Sequence, residues 1–438
     1  MLLAAVLLIA RAPAQADSPR PTNLVIVTID TLRVDRLSFY GYERATSPNL
    51  DRLFAAGATF SEARTVEPLT APALASMVTS THPHVHGANR NGLRMHQGLA
   101  SLPKALQAHG FRTVAFVGSW TLRDKLSGLA EHFERYEEVL NRKRWFGLIR
   151  SEATAEDLTA RSLEWIADHR KRHADRPFML WVHYVEPHAP YRAQDDYLEQ
   201  LGLTPGDLSR GDRYDSEIAA ADAAVGQLLA GLEAQGLSGR TLVAFAADHG
   251  ESLGEHDYWG HGRHLYEPTL RIPMSLTLKG RIPARKVDAP ALIIDLAPTV
   301  LSLLGIEIPS DFRGFDWTDV LAGDAPPTDR VTRYQAHRGA VTSNHDSEMA
   351  REKGLLEVGM VHHGRKEIFR IDKGRRQIYD LAGDPLELAD RAGPKEYPSE
   401  GLLEWLRTIY DGLIAFDDTV NAIDAESVEQ LRALGYVD

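Results

Sequence analysis

Cysteine is absent from the 438 residues. That excludes disulfides, thiolate metal sites and a cysteine nucleophile together, and says nothing of redox compartment. Positive charge is in short supply: 49 Lys and Arg stand against 61 Asp and Glu, a formal net charge of −12. Nucleic acid needs a basic surface, so it is not expected as a partner. An acidic chain does not forbid an anionic substrate, because a bound metal inverts the local field. Long apolar runs are lacking too. Residues 2–10 are too short to span a bilayer, no other apolar run could, and no repeat or low-complexity tract is visible. What remains is ordinary: 43% hydrophobic and 25% charged residues, in a chain long enough to bury a large core. Residues 2–10 are uninterrupted apolar, and Ala12-Pro13-Ala14-Gln15-Ala16 has the small-residue spacing of a cleavage site. Residues 1–16 therefore read as a signal peptide without a basic n-region, and a periplasmic or secreted protein is expected.

Four apolar runs predict strands buried on both faces: Leu24–Ile29, Thr113–Val117, Phe178–Val182 and Leu242–Ala246. Helical patterns lie between them at Asp51–Ala56, Leu102–His109, Ala155–His169 and Ser216–Gln235. Alternation of this kind predicts an α/β fold with a doubly wound, mostly parallel sheet. Further on, Glu357–His362, Glu367–Ile371 and Arg376–Tyr379 read as a small antiparallel sheet, followed by an amphipathic helix over Gly401–Ile414. The expected organisation is a catalytic α/β domain over 20–330 and a smaller α+β subdomain over 331–438. Arg281–Lys286 and Ala325–Arg330 read as surface loops.

Each strand run leads into polar residues. Leu24–Ile29 meets Asp30, Thr113–Val117 meets Gly118-Ser119, Phe178–Val182 meets His183 and then Glu186-Pro187-His188, and Leu242–Ala246 meets Asp248-His249-Gly250. Ligands of open α/β sheets bind beyond the carboxyl ends of strands, so these side chains should converge on one crevice. Asp30, Asp248 and His249 suit a borderline divalent ion such as Zn²⁺ or Mn²⁺; carboxylates alone would suit Ca²⁺ or Mg²⁺. Thr70, ahead of Pro72 and a run of helix formers, reads as a helix N-cap, where free amides and the dipole favour anions. It could also give the metal an oxygen and act as a nucleophile. His82, His84 and His86 read as ordinary hydrogen-bonding side chains, with a three-ligand set as the alternative. His183 is equally a core partner or a support for ligands. Asp35 reads as a loop support, and Arg64 and Arg263 are the nearest guanidinium candidates for an oxyanion.

Asn23–Asp35, Ser47-Pro48-Asn49-Leu50-Asp51, Thr70-Ala71-Pro72-Ala73 and His84-Val85-His86-Gly87 together resemble the sulfatase family. So do Glu186–Tyr191, Asp248-His249-Gly250-Glu251, Gly260-His261-Gly262, Ile378–Leu381 and Asp384-Pro385, all in family order. The resemblance implies an alkaline-phosphatase-like fold, a divalent metal (by family habit Ca²⁺) at the sheet's carboxyl edge, and hydrolysis of a sulfate or phosphate ester. It implies roles for His188 and His261 in binding the transferred oxyanion or protonating the leaving oxygen. The chain also departs from the pattern. Where sulfatases carry Cys or Ser in a C/S-x-P-x-R motif, oxidised to formylglycine, this chain has Thr70 and Leu74. Threonine cannot become that aldehyde, because its Cβ bears a methyl group. One carboxylate of the usual pair is Thr31, Ser119 and Thr121 stand for a Lys and a His, and His261 stands for a Lys. An imidazole there would titrate near neutrality.

The expectation is a metal-dependent ester hydrolase of a Thr-using branch, with Asp30, Thr70, Asp248 and His249 on the metal and phosphoester favoured over sulfate ester. Its partner would be a small-molecule or glycan or lipid ester, whose organic half is set by loops such as 119–150 and 192–214. Two rivals remain: a transferase of a phosphoryl-linked group, and a binding protein that keeps the fold without the chemistry.

Overall fold

The computed structural model describes residues 23–144, 149–339, 354–393 and 397–414, so residues 1–16, read as a signal peptide, lie outside the described residues. Its eight-stranded main sheet uses β1 (Asn23–Ile29), β2 (Ala58–Arg64), β3 (Arg112–Val117) and β4 (Arg135–Glu138). It is completed by β5 (Phe178–Tyr184), β6 (Thr241–Ala247), β7 (Met274–Thr277) and β8 (Arg285–Leu292). The order across the sheet is β8-β2-β7-β6-β1-β5-β3-β4. Only β7 runs against its neighbours β2 and β6. The sheet is therefore mixed and mostly parallel, as the strand–helix alternation predicts.

Helices cover both faces. On one side α1 (Pro48–Ala55) and α4 (Ala155–Arg172) pack against α5 (Arg210–Ala234). On the other, α2 (Thr70–Thr79) and α3 (Leu102–Ala108) pack against α6 (Leu296–Leu304). Because both faces are covered, central strands can be apolar throughout, and every residue of β1, β5 and β6 is buried.

The second sheet is antiparallel, in the order β9 (Thr332–His337), β10 (Leu355–His362), β11 (Arg365–Arg370), β12 (Arg375–Asp380). Leu355 and Val358 of this sheet form a small core with Leu402, Trp405 and Ile409 of α7 (Glu400–Ile414). Two joints tie it to the main body. Gln335 N–H donates to the Val66 carbonyl at 3.0 Å, just upstream of α2. Glu267 accepts from Arg64 of β2 at 2.9 Å and from Lys366 of β11 at 3.0 Å, all buried. Arg64 is thereby spent on structure, which removes it as a guanidinium for an oxyanion. The Arg281–Lys286 loop also gives way to strand at Arg285, whose register with Ala58 continues to Leu292 against Arg64.

Candidate active site

Sheet register builds the crevice. Ile29 is paired on one side with Ala247 and on the other with Tyr184, so Asp30 and Asp248 leave adjacent strands side by side. Thr28 faces His183 across β1 and β5, and their side chains are 2.9 Å apart. The Trp181 indole N–H donates to the same Thr28 oxygen at 2.9 Å. Asp30, His183, Asp248 and His249 are all buried.

Their ligand atoms face one another. His183 Nε2 lies 3.5 Å from Asp30 Oδ2, and His249 Nε2 lies 3.4 Å from Asp248 Oδ2 and 3.8 Å from Asp30 Oδ1. Both Asp30 oxygens, Asp248 Oδ2 and His183 Nε2 have no hydrogen-bond partner. Four orphaned polar atoms around one point are costly unless a cation joins them. Burial, and next Asp248, Glu251 and Glu152, push the Asp30 carboxyl well above its ordinary range. Burial likewise raises Asp248 to about 6, which His183 partly offsets. The donor set fits a divalent ion. Of the expected ligands, Asp30 and Asp248 converge with His183 in one group whose ligand atoms all lie within 4.8 Å of one another. His249 faces both carboxylates from outside that group. His183, read from the sequence as a core partner or a support for ligands, stands among the candidate ligands instead.

Asp248 is pinned by two amides. Its Oδ1 accepts from Thr31 N–H at 3.1 Å and from His249 N–H at 2.8 Å. His249 Nδ1 lies 2.8 Å from the Gly250 carbonyl, so that nitrogen carries the proton and Nε2 is left as a lone pair. Gly250 is required sterically: a Cβ there would stand 2.1 Å from the Pro268 carbonyl oxygen.

Thr70 begins α2, but Leu69 occupies the N-cap position and has extended backbone angles. Thr70 is thus one residue further in than the N-cap reading placed it, and its side chain caps nothing. Its Oγ1 turns to His249 Nε2, 3.4 Å away. The buried Ala71 amide, without a partner inside the helix, is met instead by Asn91 Oδ1 at 3.1 Å, a partner that no local spacing announces. Behind α2, Glu67 accepts from the His337 amide at 2.8 Å and lies 3.0 Å from its Nδ1. Leu74 is buried in the core, so α2 presents no cation where the family pattern has Arg.

Three imidazoles line the crevice together. The His261 ring centre is 4.4 Å from that of His249 and 5.3 Å from that of His188. His261 Nδ1 is held by Glu251 Oε1 at 2.9 Å, and His188 Nδ1 by the Ala189 carbonyl at 2.7 Å. Burial draws His261 down to about 4, away from the near-neutral titration an exposed imidazole would have. Gly262 next to it has φ +84°, and a Cβ there would stand 2.4 Å from Leu69 Cδ2. Arg33 ties this loop to the end of β1. It is ion-paired to Asp35 and Glu255, both at 2.7 Å, and donates to the Glu251 carbonyl at 3.0 Å. Asp35 is thereby a loop support, as expected.

The remaining candidates go elsewhere. His86 bonds Ser76 at 2.9 Å, His84 bonds Gln335 at 3.2 Å, and the His82 ring packs 4.8 Å from Trp405. They form no shared ligand set. Ser119 and Thr121 bond each other at 2.9 Å.

A mixed α/β sheet whose strand ends gather carboxylates, imidazoles and a helix-terminal hydroxyl is the arrangement that the resemblance to alkaline-phosphatase-like ester hydrolases leads one to expect. Residues 22–306 match the sulfatase family, and residues 254–400 match the C-terminal region of N-sulphoglucosamine sulphohydrolase. The chain belongs to the sulfatase family. It is 23% identical over 500 residues to N-acetylglucosamine-6-O-sulfatase of Bacteroides thetaiotaomicron, covering 90% of this chain and 87% of that one. Two solved structures share its fold. One, in complex with its substrate D-glucosamine-2-N,6-O-disulfate, has a TM-score of 0.71 at 20% identity, covering 91% of this chain and 99% of the other. The second, the phosphonate monoester hydrolase of Agrobacterium radiobacter, has a TM-score of 0.66 at 19% identity over 90% and 96%. Among the described residues no helix is long and apolar enough to cross a membrane.

Proposed function

We propose that this sulfatase-family hydrolase cleaves a phosphate or sulfate monoester of a carbohydrate or similar small organic group, phosphate preferred, with Thr70 as nucleophile. The observation that carries the reading is the Thr70 hydroxyl, released from capping and directed at His249 beside four unpartnered ligand atoms. Asp30, His183, Asp248 and His249 would hold the divalent ion. Two imidazoles with two carboxylates favour Zn²⁺ or Mn²⁺ over the family's habitual Ca²⁺. A bound divalent ion supplies Lewis acidity and lowers the pKa of a ligated hydroxyl.

The chain's own groups do the rest. Thr70 Oγ1 attacks phosphorus in line with the ester oxygen, the phosphorus–oxygen bond breaks, and the proton given up by the Thr70 hydroxyl passes to the leaving oxygen. His188 and His261 flank that position, with their Nδ1 atoms fixed by Ala189 and Glu251. Water then displaces the threonine oxygen from phosphorus, releasing phosphate and restoring the hydroxyl. The positive end of the α2 helix dipole favours the anion throughout.

Chemistry favours phosphorus. Formylglycine clears sulfate by collapse of a geminal diol, which threonine cannot form, so a threonine sulfate would need a second direct displacement. A phosphate monoester dianion also carries more charge than a sulfate monoester, which a metal beside a helix N-terminus rewards. The relative named as an N-acetylglucosamine-6-O-sulfatase and the neighbour solved with a disulfated glucosamine support a carbohydrate ester as substrate. Export, expected from residues 1–16, belongs to the same proposal and is tested by cell fractionation.

The test is a panel of aryl phosphate, phosphodiester and aryl sulfate substrates with Zn²⁺, Mn²⁺ or Ca²⁺ added. Phosphoester turnover exceeding sulfate turnover, and lost on chelation, is expected. Aryl sulfate turnover without phosphoester turnover would return the chain to the family's namesake reaction.

A further inference from the structure

Away from the crevice, two imidazoles and a carboxylate meet at the outer end of the second sheet. Strands β10 and β11 are joined by His363 and Gly364 alone, with φ +49° and +72°. A two-residue hairpin turn with both residues left-handed favours Asn, Asp or Gly at its first position. His363 stands there instead. Its ring centre comes to 4.0 Å from that of His362, the last residue of β10. Both Nε2 atoms face a single oxygen: Asp329 Oδ1 lies 2.6 Å from that of His362 and 3.2 Å from that of His363. Among the described residues, the three offer ligand atoms all within 4.8 Å of one another, as Asp30, His183 and Asp248 do in the crevice.

The carboxylate and the imidazoles come from different parts of the chain. Asp329 ends the loop before β9, and the next residue, Arg330, holds Asp295 at 2.6 and 2.7 Å ahead of α6. Arg330 is thereby committed to the main body while Asp329 turns to the hairpin. From there β9 runs its six residues to His337 behind α2, a separation of roughly 17 Å, so this group is distinct from the crevice. Both rings can charge only by setting two imidazolium ions side by side. One divalent ion instead takes both as neutral ligands, with the carboxylate as counter-charge. Donors around a tetrahedral Zn²⁺ stand about 3.3 Å apart, close to the 3.2 Å between His363 and Asp329.

We propose that Asp329, His362 and His363 bind a borderline divalent ion, Zn²⁺ foremost, as a structural clip between the loop before β9 and the β10–β11 hairpin. Two imidazoles and one carboxylate are the donors such an ion prefers, whereas Ca²⁺ and Mg²⁺ favour oxygen throughout. Asp329 and His363 are exposed and His362 is half-buried, which leaves the fourth position to water. With three ligands in contact with solvent, the clip fills at higher free metal than the buried crevice.

Equilibrium dialysis of the whole protein at micromolar free Zn²⁺ tests the site. The comparison is with a His362→Gln/His363→Gln double variant and with Asp329→Ala, changes at the surface that leave the core untouched. The wild type should hold one zinc equivalent more than either variant, whatever the crevice takes. Hydrogen exchange then tests the clip. With free Zn²⁺ at about ten times the dissociation constant, amides of residues 329–332 and 361–365 should exchange about tenfold more slowly in the wild type, and unchanged in the variants. Equal zinc content in the wild type and either variant overturns the site. An extra equivalent that leaves exchange in both segments unaltered overturns the clip, since it marks an adventitious ion only.

Discussion

Thr70 carries the most weight of any side chain, because its hydroxyl is spent neither on a cap nor on packing. Thr70→Ala should lower kcat by at least about 10³-fold with the fold intact, as loss of a nucleophile does. Thr70→Ser keeps the oxygen and should retain measurable turnover; equal loss in both variants would argue against attack by this oxygen. The four unpartnered ligand atoms make a second prediction at the same scale. Asp30→Asn and His183→Ala should each cut bound divalent metal by at least about tenfold, read by elemental analysis after dialysis against limiting metal. Unchanged occupancy in His183→Ala would return His183 to the role of a core partner of Thr28.

At the scale of elements, the site depends on close approaches between loops. Gly262 holds a left-handed conformation against Leu69, the residue before Thr70. Gly262→Ala should cost about 1–2 kcal/mol through backbone strain alone. It should also lower kcat, because Leu69 must move; thermal unfolding and kinetics on one preparation check both. The elements legible in the sequence were those whose environment imposes a simple pattern. Strands β1, β3, β5 and β6 are covered on both faces and read as apolar runs. By contrast β2 carries Ser61, Glu62 and Arg64, and β8 carries Arg285, Lys286 and Asp288 towards the sheet's edge, so neither has such a run. Asp30 and Asp248 were legible because they follow the ends of central strands. His183 was not decided, since only its register opposite Thr28 shows which side of the sheet it serves. Nor was Asn91, whose contact with Ala71 comes from a loop without a motif. Thr70's exact place in its helix turned on a single residue, which sequence patterns do not resolve.

Across the whole molecule, Glu267 joins the two sheets. Its carboxyl is held well below the ordinary range by Arg64 and Lys366, against the opposing effect of burial. Glu267→Ala would leave two buried cations short of a partner and should destabilise the protein by about 3–5 kcal/mol, read by denaturant unfolding. Acid should loosen the same body. Burial lowers both His84 and His132 to about 4, whereas in an unfolded chain each titrates near 6.5. Between those values the unfolded state binds more protons, so stability falls as pH drops from about 6.5 towards 4. The melting temperature should decline across that window, and less steeply in a His132→Gln variant that still folds.

Rapid quenching of the enzyme during turnover of an aryl phosphate, followed by peptide mass spectrometry, addresses the central claim most directly. The account predicts one phosphoryl group on the peptide spanning Thr70, fragmenting at that residue and missing from Thr70→Ala. Sustained phosphoester turnover in the Thr70→Ala variant, with the phosphoryl group trapped elsewhere or nowhere, would contradict it.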